Sequence, residues 1–104
     1  MPTSEQTIVK RVTELVAADS VSSPDPSWDS SNRRVINHLS DYAERDGWAV
    51  DIHELESSAD GKANLIATFG NADTLGDEPA GLVLSGHTDT VPFDAGGWAS
   101  DPLK

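Results

Sequence analysis

Three consecutive apolar residues, Leu82-Val83-Leu84, stand between a Pro79-Ala80-Gly81 turn and the small pair Ser85-Gly86. A short run that is apolar at every position reads as a strand buried on both faces, because a half-buried strand alternates. Directly beyond it come His87, Asp89 and Pro92, within the stretch GLVLSGHTDTVP from Gly81 to Pro92. In an open α/β sheet the C-terminal end of such a strand opens into the crevice where ligands bind. A strand of this kind needs cover above and below and a neighbour along each edge. The rest of the chain has to supply those layers.

What precedes the run is helical first and extended afterwards. Thr3 and Gln6 fit a capping box, with Glu5 placing negative charge in the first turn. Ile8, Val9, Val12, Leu15 and Val16 then follow helical spacing, which predicts an amphipathic helix to about Ala18. Asp19 to Ser31 carries turn chemistry around a single Trp28, and that ring is expected to pack down onto the core. A second helix is expected from an N-cap at Ser30 or Ser31. Its buried stripe is Val35, Ile36, Leu39, Tyr42 and Ala43, and Gly47 closes it in the left-handed conformation. Trp48, Val50 and Ile52 alternate with Ala49, Asp51 and His53, which predicts a half-buried strand. Asp60-Gly61 signals a turn, Asn64 to Phe69 reads as a second strand, and Asn71 to Pro79 as a polar loop.

The expected fold is therefore α/β, with two helices packed on three strands. One helical layer cannot cover both faces of Leu82-Val83-Leu84. The 104 residues are accordingly expected to form part of a larger mixed sheet rather than a finished fold.

Charge and composition narrow the partners. There are 18 acidic and 7 basic side chains, a formal net charge of −11, which disfavours nucleic acid and anionic membranes as partners. The chain has no cysteine, so disulfides, thiolate nucleophiles and Cys-based zinc sites are excluded. No apolar run approaches the ~20 residues of a membrane helix. The first residues lack the basic-then-apolar order of a signal peptide, so a cytoplasmic location is expected.

His87 and Asp89 are the residues best placed for chemistry. Two apart in an extended segment, they project to the same side. A neutral imidazole beside a carboxylate suits Zn²⁺ or a similar divalent ion, with Asp89 either a co-ligand or the group that orients the ring. An HxD pair is also met as a hydrogen-bonded histidine at a strand end, and both readings stand on the residues alone. His38 and His53 lie off the apolar faces and read as surface histidines. No GxSxG, GxGxxG or P-loop pattern is present.

SGHTDTVPFDAGGWASDPL, from Ser85 to Leu103, resembles the first metal-binding segment of the M20 metallopeptidase family. The Asp29-Ser30-Ser31-Asn32 helix start, the Asn64-Leu65 strand and the Gly81 strand fall in the family's order, so the resemblance runs along the whole chain. It implies that residues 1–104 are the N-terminal part of a zinc-peptidase-like catalytic domain, without the lid domain that mediates dimerisation. On the resemblance, His87 would bind one metal of a two-metal zinc (or cobalt) site, and Asp89 would orient His87 and tune that site. The bridging aspartate, paired glutamates, further acidic ligand and late histidine of the family have no counterpart here. The implied activity is metal-dependent hydrolysis of an N-acyl amino acid by a homodimeric enzyme, with this segment inactive by itself and binding no zinc tightly. Two alternatives stay open: another substrate of the family, such as succinyl-diaminopimelate or a dipeptide, or a non-catalytic module whose HxD is structural.

Overall fold

A computed structural model of the chain describes residues 4–56, 61–70 and 81–104. Asp60 of the expected turn, the 71–79 loop and Thr3 of the expected capping box lie outside the described residues. Helix α1 spans Glu5–Ala17. Its N-cap is Ser4, whose Oγ accepts the Thr7 N–H at 3.1 Å, with Glu5 in the first turn. A serine hydroxyl at this position satisfies an amide that has no partner inside the helix. Helix α2 spans Arg33–Arg45. It ends at Gly47, whose φ of +88° is the left-handed closure expected there.

The expected alternation produces β1, Ala49–Glu54, and the second strand, β2, covers Ala63–Thr68. They pair antiparallel, with Val50 opposite Ala67 and Ile52 opposite Leu65. Those four residues share the half-buried face, and α2 packs against both strands. The core is small. Ala18, Val21, Val35, Ile36, Tyr42 and Ala63 are its buried hydrophobic members among the described residues.

Helix α1 sits differently from its pattern. Its stripe is real, yet Ile8, Val9 and Val12 each remain more than half exposed and no residue of the helix is buried. It joins α2 through polar groups instead. Arg11 forms a bidentate pair with Asp46 at 2.7 and 3.1 Å, its guanidinium lies 4.9 Å from the Tyr42 ring centroid, and the Tyr42 hydroxyl donates to Glu14. Burial, then the Glu14 hydrogen bond, pushes the Tyr42 phenol up to about 12. The same bond holds the Glu14 carboxyl below its ordinary value, and the Arg11 hydrogen bond does so for Asp46.

Three expectations are corrected. Leu82, Val83 and Leu84 form no strand: they have no ladder partner and are 82%, 91% and 83% exposed. The sheet among the described residues therefore has two strands, not three. The run is apolar enough for a sheet interior, but it pairs with neither β1 nor β2 and so stays exposed. Trp28 is half exposed rather than packed down. Its backbone is held in a turn by Asp25, whose carbonyl accepts the Trp28 N–H and whose carboxylate accepts both Ser27 donors, while Val21 fills the interior position in that loop. The N-cap position of α2 falls on Asn32, not Ser30 or Ser31, although Ser31 Oγ accepts the Arg33 N–H at 3.0 Å. No helix among the described residues is long and apolar enough to cross a membrane.

Candidate metal centre

The segment carrying His87 and Asp89 is anchored by the loop after α1. Residues Val21 and Thr90 form an isolated parallel bridge. Its hydrogen bonds run from Thr90 N–H to the Ser20 carbonyl at 3.2 Å and from Ser22 N–H to the Thr90 carbonyl at 3.0 Å. The buried Ser20 hydroxyl adds a bond to the Thr88 carbonyl at 2.6 Å. The opposite side is held by Asn32. Its Nδ2 donates to the Ala63 carbonyl at 2.8 Å and to Thr88 Oγ1 at 3.0 Å, while Oδ1 accepts the Ala63 N–H at 2.9 Å. The start of β2 is further tied to this loop by Lys62, whose ammonium lies 2.7 Å from Asp29 Oδ1.

Thr88 therefore faces inward, half-buried, and its neighbours face outward, as extended geometry requires. The two side chains meet: His87 Nδ1 lies 3.0 Å from Asp89 Oδ1 and 3.1 Å from the Asp89 carbonyl. Two acceptors on one ring nitrogen place the proton on Nδ1. Nε2, which has no hydrogen-bond partner among the described residues, then carries the free lone pair. Asp89 thus bonds to the ring, the contact that an orienting group would make. Both side chains are largely exposed.

Two grooves flank the pair. One, of about 400 Å³, runs past Leu15, Val35, Leu39, Phe93 and Leu103 and borders His87. The other, of about 530 Å³, is bounded by Ile36, Leu65, Asn32 and the Gly86–Asp89 segment. Among the described residues no three metal-binding side chains converge. His38 is half-buried and stacks on Tyr42 at 6.1 Å, and His53 is exposed on β1, so neither joins His87. Sequence reasoning named His87 and Asp89 but missed Ser20 and Asn32. The available signal was an asparagine at a helix start, where short polar side chains take up local backbone groups.

No protein-family profile matches the chain. It is 47% identical over 88 residues to a protein of Vibrio vulnificus named acetylornithine deacetylase, an overlap covering 85% of this chain and 21% of that protein. The match is to part of a protein of that name. Proteins of the same name from Vibrio parahaemolyticus and Pasteurella multocida are each 44% identical over 90 residues, or 86% of this chain. The chain spans about a fifth of the length of these curated relatives, 21% and 22% respectively.

Proposed function

We propose that these residues are the N-terminal portion of the catalytic domain of a cytoplasmic, homodimeric acetylornithine deacetylase. The reaction is hydrolysis of the N-acetyl amide of N-acetyl-ornithine to ornithine and acetate, a step of arginine biosynthesis. The single observation that carries the reading is identity of 42–47% to proteins of that name over about 85% of the chain. That name also favours acetyl-ornithine over succinyl-diaminopimelate or a dipeptide as substrate. The exposed Leu82-Val83-Leu84 run and the open stripe of α1 support a place for the segment within a larger mixed sheet.

The residues present fit one corner of a site for zinc or cobalt. His87 would hold the metal through Nε2, and Asp89 would keep the proton on Nδ1 and the ring in one orientation. A divalent metal, when bound, supplies Lewis acidity and a water of lowered pKa. Catalytic zinc sites commonly use three protein ligands, so one imidazole and one carboxylate do not suffice, and the 104 residues alone hydrolyse nothing.

Release of the free amino acid, ornithine from acetyl-ornithine and diaminopimelate from succinyl-diaminopimelate, should be measured for the enzyme that carries this segment, for its His87→Ala variant and for the 104 residues alone. Turnover of acetyl-ornithine by the first, lost in the other two, is expected. Turnover by the 104 residues, undiminished turnover in His87→Ala, or preference for the succinyl substrate overturns the proposal.

A further inference from the structure

We propose that Asn32 is a positioning residue for the His87–Asp89 pair, acting through Thr88; the catalytic consequence rests on the deacetylase reading above, the structural one does not. A residue at a helix N-cap ordinarily turns its side chain onto the helix's own first amides. Asn32 does not, and makes no capping bond. Its side chain is spent on two other segments. With Ala63 it closes a two-bond ring, accepting from N–H and donating to C=O, as a strand partner would. That ring satisfies the first residue of β2, which is 1% exposed. The second Nδ2 hydrogen reaches Thr88 Oγ1 at 3.0 Å, across 56 residues of sequence.

Thr88 is thus held twice, by its hydroxyl from Asn32 and by its carbonyl from Ser20. The side chain of an extended residue points opposite to those of its two neighbours. Fixing the Thr88 side chain inward fixes His87 and Asp89 outward together, so that Nδ1 and Oδ1 stand at 3.0 Å. Both side chains are largely exposed, and their described contacts are only within the pair, from Nδ1 to Asp89 Oδ1 and to the Asp89 carbonyl, so the direction in which the pair projects is set by the backbone at Thr88. The requirement on position 32 is chemical as well as steric. Aspartate keeps the acceptor for the Ala63 N–H but loses both donors and sets a charge against the Ala63 carbonyl. Thr88→Val removes only the hydroxyl and leaves the Asn32–Ala63 ring intact, so it is the variant least able to disturb the fold. Thr88→Ser restores the hydroxyl.

The test uses nitrogen-15 spectra of the His87 ring in the full 104-residue chain at about pH 8.5, above the ordinary histidine range. The unsubstituted chain and Thr88→Ser should show predominantly the Nδ1–H form. Asn32→Asp and Thr88→Val should move both ring nitrogens toward the mixed values of an unrestrained imidazole, with the β1 and β2 amide signals unchanged in Thr88→Val. Unaltered ring signals in Thr88→Val overturn the proposal, whatever Asn32→Asp does. In the enzyme carrying the segment, Thr88→Val should lower kcat by about 10- to 100-fold with little change in KM, and Thr88→Ser should recover most of it. Equal loss in Thr88→Ser and Thr88→Val would count against positioning by the hydroxyl. Should the enzyme fail to hydrolyse acetyl-ornithine while the ring signals respond as stated, the function assigned above fails and the positioning role stands.

Discussion

Ser20 donates its hydroxyl to the carbonyl of Thr88 at 2.6 Å, joining residues 68 apart in sequence. Ser20 is only 5% exposed, so water cannot readily take over the bond if the hydroxyl is removed. Ser20→Ala leaves that carbonyl without its donor in a partly buried setting. A loss of about 1–3 kcal/mol is expected, read as a lower urea midpoint at unchanged slope. Exchange of the Thr90 amide, which bonds to the Ser20 carbonyl in the same bridge, should quicken in parallel. A shift within the ordinary ~0.5 kcal/mol scatter of surface substitutions would show that the loop does not anchor the HxD segment.

Tyr42 makes stability depend on alkaline pH. Its phenol is raised from 10.0 to about 12 by burial and by the Glu14 bond. A group whose folded-state pKa is raised holds its proton more tightly in the fold. Its contribution is complete below pH 10.0 and is lost as pH rises towards about 12. The carboxyls of Glu14 and Asp46 act in the opposite window. Lowered from 4.5 and 3.8, they contribute above those values and cease to as pH falls through their depressed ones. The chain has a single tyrosine, so phenolate absorbance reports Tyr42 alone. Its midpoint should lie well above that of the urea-unfolded chain, and Tyr42→Phe should abolish the alkaline fall in melting temperature. Coincident midpoints in folded and unfolded chain would remove the basis for this prediction.

The elements legible in the sequence were those written in local periodicity. Both helices and both paired strands follow from spacing, and Gly47 follows from the need for a left-handed residue after α2. His87 and Asp89 meet as their separation of two requires. What could not be read depends on distant partners. Whether Leu82-Val83-Leu84 is a strand is decided by whether an edge lies beside it, and hydropathy is silent on that. Trp28 faces out because Asp25 organises the turn around it. Asn32 looked like one more polar residue at a helix start; its bonds to Ala63 and Thr88 belong to residues 31 and 56 positions away.

The uneven burial of the apolar residues predicts a sharp contrast between positions that composition would treat alike. Ile36, on the α2 face that covers the sheet, is 2% exposed, whereas Val83 is 91% exposed. Ile36→Ala should cost about 2–5 kcal/mol, because it removes buried methyl groups and leaves a cavity. Small domains have total stabilities of only about 5–15 kcal/mol, so that loss should depress the melt severely. Val83→Asp should shift it by no more than about 0.5 kcal/mol, since its side chain has almost no contacts to lose. His87→Ala should behave like Val83→Asp, as the imidazole side chain is 83% exposed. Val83→Asp should, however, reduce binding of a hydrophobic dye and any self-association, because it interrupts the exposed run. Thermal melts and dye fluorescence on the three variants decide the matter. A large loss in Val83→Asp would mean that Leu82-Val83-Leu84 is covered in solution, as the sequence pattern by itself demands.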